Sequence, residues 1–225
     1  MPMEPLRILY EDAHLVLCVK PVGVLSEDSA DGACMPALLR QHYRAQGKPD
    51  YIATVHRLDK AVGGVMLFSR RREITGKLTA AIAEHRVTKE YLAVLCGTPS
   101  QPSGILTDLL ARDPQRRLTY VADTPSPSAR EARLSFATVD SSDGMTLVRV
   151  RLHTGRTHQI RVQFASRGLP LAGDRKYGAS DAPYPIALWS CRLSFVHPQT
   201  GEPVTFTCPP PDTAPWDLFT LPEML

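Results

Sequence analysis

The sequence predicts an α+β fold built on a mixed, largely antiparallel central sheet with flanking helices. Three observations predict it. Apolar residues recur at period two in many short runs, only three stretches carry a helical period, and these helices are scattered between hairpins rather than alternating with single strands.

Taken in order, ILYE (8–11) and LVLCVK (15–20) read as two strands joined by a short turn at Asp12–His14. MPALLRQHYRAQG (35–47) reads as a helix, with Pro36 in the first turn, where no N–H is required, and Gly47 as the stop. IATVHRL (52–58) and GVMLFSR (64–70) form a second strand pair around a loop. EITGKLTAAIAEHR (73–86) places Ile74, Leu78 and Ile82 on one helical face. KEYLAVLCG (89–97) is a fifth strand. From Thr146 to Leu152, Val148, Val150 and Leu152 alternate with Arg149 and Arg151, which predicts a strand with one apolar face. THQIRVQFASRG (157–168) reads as a helix with Thr157 as its N-cap and Gly168 as its stop. Ala187, Trp189, Cys191, Leu193 and Phe195 share one face of a long strand, and PVTFTC (203–208) closes the sheet.

The 20 prolines gather between these elements, as in PSPS (125–128), APYP (182–185) and CPPPDTAP (208–215), which read as loops and a rigid tail. With no repeat, low-complexity tract or composition break, residues 1–225 read as one domain, its core about 6–208 and a Pro-rich tail over 209–225.

Composition bounds the function. A hydrophobic share of 43% and a charged share of 22% describe a soluble globular chain. No run approaches the roughly 20 apolar residues of a membrane helix, and MPMEPLRILYED has neither the basic start nor the apolar core of a signal peptide, so the expected compartment is the cytoplasm. The five cysteines are odd in number and form no C-x-x-C pair, so they read as buried small hydrophobes rather than disulfides or a zinc site. Net charge is only +3, but its distribution is uneven. Arg149, Arg151, Arg156, Arg161 and Arg167 lie between Gly144 and Gly173 with no acid, Arg70–Arg72 form a second cluster, and Arg112, Arg116 and Arg117 a third. Three basic clusters on a mildly charged chain point to a polyanionic partner.

Several chemistries find no support. G-x-S-x-G, G-x-x-x-x-G-K-[ST], G-x-G-x-x-G and H-E-x-x-H are all absent. His153 and His158 are spaced wrongly for one helical face, and neither metal nor cofactor is expected. What remains is a lone carboxylate in a basic setting: Asp59 in HRLDKAVGGVMLFSR (56–70). A half-buried Asp among cationic groups is held ionised by opposite charge, and an oriented carboxylate serves as nucleophile or base.

HRLDKAVGGVMLFSR resembles the catalytic segment of the RluA-type RNA pseudouridine synthases, an H-R-L-D followed by a small-residue turn and an apolar strand. ILYEDAHLVLCVKPVG resembles that family's opening strand pair ending in K-P-x-G, KEYLAVLCG its K-x-Y-x-A-x-V-x-G strand, and HTGRTHQIRVQFASRGLPLAGDRKYG its G-R-x-H-Q-I-R helix with the following G-D-x-x-Y-G. The four segments run in family order from about Leu6 to Cys208.

The resemblance implies a pseudouridine synthase catalytic fold and the isomerisation of a uridine in structured RNA. Asp59 would be the nucleophile, attacking at sugar or base. Tyr91 would stack on the flipped uracil and act as general base, and Arg161 would pair with Asp59. Arg57 would enter the RNA stack in place of the extruded base, whose removal costs roughly a few kcal/mol. Arg156 would either contact phosphate or brace the helix start. Gly63 and Gly64 would let backbone pass close to substrate. His56 and His158 read as structural, and Gly173, Asp174, Tyr177 and Gly178 as shaping a loop beside the site. The implied partner is a ribosomal or transfer RNA stem-loop, bound by a monomer without cofactor or metal. No room is left for a preceding S4-type domain, so affinity would come from the catalytic domain and weaken with salt.

The chain departs from the family where a Thr or Ser pair usually precedes the glycine. Ala61, Val62 and Gly63 stand there, removing hydroxyls that would stiffen the loop, and Val19 replaces a polar residue before Lys20-Pro21. Two other readings stay open: a non-catalytic RNA-binding or RNA-folding protein on this scaffold, and an unrelated acid–base enzyme acting on a small anion.

Overall fold

A computed structural model describes residues 6–30, 33–178 and 182–221. In chain order the elements are β1 (Ile8–Glu11), β2 (Leu15–Lys20), α1 (Met35–Ala45), β3 (Ala53–Thr54), β4 (Gly63–Ser69), α2 (Arg72–Ala83), β5 (Thr88–Cys96), β6 (Ser103–Asp113), β7 (Leu118–Val121), β8 (Arg130–Ser142), β9 (Met145–Leu152), α3 (Gln159–Ala165), β10 (Leu188–Val196), β11 (Pro203–Thr207) and a 3-10 turn at Trp216–Leu218. The predicted α+β class is the one observed.

Internal contacts divide the chain into two compact units. Of the described residues, the first holds those from 6 to 89 and from 190 to 209, the second those from 90 to 189 and from 210 to 221. In the first, the strand order is β1-β2-β4-β10, with β3 paired to β4 and β11 to β10. Pairing is antiparallel at β1–β2, β2–β4 and β10–β11. The β1–β2 turn forms because Asp12 Oδ1 accepts the backbone N–H groups of His14 (2.7 Å) and Leu15 (2.8 Å). Leu15–Cys18 and Val65–Phe68 are almost wholly buried, and α1 adds Met35, Leu39 and Tyr43 to this core. Helix α2 buries Ile74, Leu78 and Ala81, the stripe its spacing predicts but for Ile82.

Gly64 shows why β4 needs glycine. Its φ is +116°, and a Cβ there would lie 2.2 Å from the Ser190 carbonyl oxygen. The close approach that Gly64 serves is thus to the backbone of β10.

In the second unit the order is β5-β9-β8-β6-β7. β6 pairs antiparallel with both β7 and β8, and β8 with β9. Leu110, Ala132 and Val162 form a small core joining β6, β8 and α3, with Val121 and Tyr177 packed against it.

Three expectations are corrected. The predicted strand over 52–58 shrinks to β3, because residues 55–62 turn away as the loop that carries Asp59. Strands β6, β7 and β8 were not expected. β6 is long but buries only Leu106, Leu110 and Ala111, so it shows no clean alternation. Helix α3 starts later than expected: its N-cap is His158, in the left-handed region (φ 55°), not Thr157.

Candidate active site

Asp59 occupies the loop between β3 and β4, and the backbone on both sides of it is tied down. Ser26 Oγ accepts the Leu58 N–H at 3.0 Å and donates to the Leu58 carbonyl at 2.6 Å. On the other side, the Lys60 carbonyl accepts from the Gly23 N–H at 2.8 Å and from Lys20 Nζ at 3.2 Å. The Val62 N–H closes a turn onto the Asp59 carbonyl at 2.9 Å. His56 anchors the entry to the loop, its Nε2 accepting the Leu67 N–H of β4 at 3.0 Å. Burial, with a smaller push from the Lys89 charge, drives the His56 imidazole down to about 3, so it is neutral and able to accept. The stiffness expected from hydroxyls after Lys60 is supplied instead by Ser26, Gly23 and Lys20.

Lys20 was not singled out in the sequence. Its side chain is fully buried, and Nζ donates to the carbonyls of Pro21 (2.9 Å), Val24 (2.7 Å) and Lys60 (3.2 Å). Three donors meet three acceptors. Burial lowers its pKa to about 8, while the charge of Asp59 pulls the other way. The K-P motif marked the residue, but nothing in the sequence says that its ammonium is dry.

Arg57, the neighbour of Asp59, points outward: its side chain is 66% exposed and meets Glu27 only at 3.4 Å. Such an exposed pair holds it weakly, leaving it able to rearrange onto a ligand.

The other predicted residues lie in the second unit. Tyr91 is buried in β5 (6% exposed). Arg161 sits in α3, where its guanidinium forms a two-pronged pair with Asp174, Nε to Oδ2 and Nη2 to Oδ1, both 2.8 Å. The side chains are 8% and 0% exposed. Paired forks of this kind fix the guanidinium plane as well as its charge. Asp174 therefore does more than shape a loop. Its Oδ1 also accepts the Lys176 N–H (3.0 Å), and Gly173 lets the loop pass where a Cβ would lie 2.6 Å from the Pro185 carbonyl oxygen.

Tyr177 completes the support. Its ring centroid lies 5.1 Å from the Arg161 guanidinium carbon, and its hydroxyl accepts the Thr119 N–H of β7 at 2.9 Å. The same hydroxyl is 2.7 Å from His158 Nδ1, which explains how a non-glycine residue is held in the left-handed region. Burial raises the phenol above its ordinary value, keeping it protonated as a donor. Arg156 braces the helix start, Nε donating to the Glu131 carbonyl at 2.9 Å. Among the described residues, no cluster of His, Cys, Asp and Glu could hold a metal ion, and no helix is long and apolar enough to cross a membrane.

Comparison with known proteins follows the same lines. The family model described as RNA pseudouridylate synthase matches residues 14–166. An uncharacterised RNA pseudouridine synthase of Bacillus subtilis (strain 168), YjbO, is 35% identical over 211 residues, covering 92% of this chain and 73% of its own length. The ribosomal large subunit pseudouridine synthase D of Pasteurella multocida (strain Pm70) is 32% identical over 225 residues, covering 92% and 68%. Among solved structures, human RNA pseudouridylate synthase domain containing 4 shares the fold with a TM-score of 0.77 at 21% identity, over 91% of this chain and 88% of that one. A pinned Asp in an H-R-L-D loop, the four ordered motifs and the match across most of the chain lead to one conclusion: this protein belongs to the RluA-type RNA pseudouridine synthase family and is an isomerase acting on RNA.

Proposed function

We propose that the protein converts a uridine of large-subunit ribosomal RNA to pseudouridine, with Asp59 as nucleophile. The observation that carries the reading is the turn holding Asp59, tied on both flanks by Ser26, Gly23 and Lys20. A carboxylate on so constrained a backbone is pre-organised for attack rather than free to wander. The ribosomal assignment is supported by relatives named for large-subunit modification, such as those of Pasteurella multocida and Nitrosomonas europaea.

In the proposed reaction Asp59 bonds to the sugar or the base, the N1–C1′ bond breaks and the freed uracil turns. A C5–C1′ bond then forms, the C5 hydrogen leaves as a proton, N1 gains one, and the Asp59 bond breaks again as the product is released. Tyr91 stacks on the uracil and receives the C5 proton. Arg161, locked by Asp174, offers a fixed positive charge to the reaction's anion. Arg57 fills the space of the extruded base. In this reading the protein works as a cytoplasmic monomer, its five cysteines carried as thiols.

The test is tritium release from RNA labelled at uridine C5, using unmodified ribosomal and transfer RNA with Asp59→Asn alongside. Release from ribosomal RNA by the wild type, abolished in the variant while RNA binding stays within a few-fold, is expected. Turnover by Asp59→Asn would remove the nucleophile assignment. Binding without release by the wild type would favour an RNA-folding protein on this scaffold, and release from transfer RNA alone would move the substrate.

A further inference from the structure

The three basic clusters have different fates in the fold. Arg70 and Arg71 donate to the carbonyls of Asp12 and Ala13, and Arg70 and Arg72 lie over the rings of Tyr43 and Tyr51 at 3.9 and 5.3 Å. In the cluster between Gly144 and Gly173, Arg161 pairs with Asp174, Arg156 donates to the Glu131 carbonyl and Arg167 pairs with Asp108 at 3.0 Å, while Arg151 lies exposed on β9. Arg112, Arg116 and Arg117 differ. All three are exposed on the β6–β7 hairpin, and among the described residues Asp113 meets Arg116 at 3.9 Å. Asp113 spends its Oδ1 on the N–H groups of Gln115 and Arg116, holding the hairpin turn.

Beside these arginines the second unit contains a groove of about 1050 Å³ between the hairpin and α3. Leu118 and Val121 line it from the hairpin, Val162 and Ala165 from α3, and Ser166 from the cap that ends that helix. Tyr120, 49% exposed, stands at its edge, and Arg112 and Arg116 form its basic rim. Tyr177 forms part of the wall and ties the hairpin to α3 through the Thr119 N–H, so the groove is built by the fold and not by a passing loop position.

We propose that this groove is a second RNA subsite, which takes an unpaired nucleotide of the substrate outside the reacting uridine. Its phosphates lie on Arg112 and Arg116, and its base rests on the apolar floor against Tyr120. The occupant follows from the chemistry: an apolar floor, an aromatic edge for stacking and exposed guanidinium groups at the rim are what single-stranded RNA requires. The proposal rests on RNA being the substrate, but not on the role of Asp59 or on which RNA is modified.

The experiment measures binding of the full chain to an unmodified ribosomal RNA transcript at several salt concentrations. Wild type is compared with the double variant Arg112→Ser/Arg116→Ser, with Ser166→Trp, which fills the groove without changing charge, and with Arg72→Ser as a control. The double variant should lower the slope of log affinity against log salt by about 1.4, about 0.7 for each lost single-strand phosphate contact. Ser166→Trp should weaken binding tenfold or more at constant slope, and Arg72→Ser should match wild type. An unchanged slope in the double variant overturns the subsite. A lowered slope with full affinity in Ser166→Trp overturns it too, since the arginines would then act only as diffuse charge. Tritium release by the same preparations separates the readings: release with unaltered slopes removes the groove alone, whereas absence of both binding and release by wild type removes the RNA reading with it.

Discussion

An ammonium group removed from water keeps its proton only if carbonyls or carboxylates replace the solvent. Lys20 meets that condition with three carbonyls and the nearby charge of Asp59, yet burial still lowers its pKa from 10.5 to about 8. Below about pH 8 folded and unfolded chains both hold this proton, and between there and 10.5 only the unfolded chain does. Stability contributed by this site therefore increases as pH rises through that window. Urea unfolding at pH 7 and pH 10 should show wild type gaining on Lys20→Met by up to about 3 kcal/mol. An equal difference at both pH values would mean that the lysine is solvated. Arg161 and Asp174 present the opposite case, two buried charges that satisfy each other. Asp174→Asn removes the charge of a buried, two-pronged partner of the guanidinium and should cost about 3–5 kcal/mol of stability. Turnover of the folded fraction should fall as well, and Asp174→Glu should recover part of it. Full turnover in a folded Asp174→Asn would mean that the pair is structural only.

At the scale of elements, α3 is short, begins on a strained residue and has no side-chain cap of its own. Its position depends on Tyr177, which connects its first turn at His158 to β7 at Thr119. Tyr177→Phe keeps the ring over Arg161 but removes both hydrogen bonds. The expected loss is about 1–3 kcal/mol, with faster hydrogen exchange at the Thr119 amide. Unchanged exchange there would show that the hairpin holds its place without the tyrosine. The helix was legible from QIRVQF, but its start was not. Thr157 is a good capping residue by type, whereas the fold satisfies this end through a tyrosine twenty positions downstream of it. Likewise, Ala132, Leu134 and Phe136 alternate in β8, a signal short enough to be lost between charged neighbours.

Across the whole molecule, the arginine clusters that suggested a polyanion have divided roles. Arg70 lies 3.9 Å over Tyr43 and also donates to the Asp12 carbonyl, so it works mainly as packing. Arg70→Ser should cost about 1–2 kcal/mol in denaturant unfolding and leave RNA affinity within twofold. A large loss of affinity with stability intact would return this cluster to the RNA-binding surface. By itself the sequence determined the α+β class, most strands and the family, and it singled out Asp59 for the proposed role, because these rest on local periodicity and on motifs a few residues long. Tertiary structure alone decided which charges are spent internally, that Lys20 is dry, that Asp174 grips Arg161, and that Gly64 makes room for β10. Each of these is a meeting of residues distant along the chain, and the free energy of a charge or a Cβ depends on what surrounds it rather than on what precedes it.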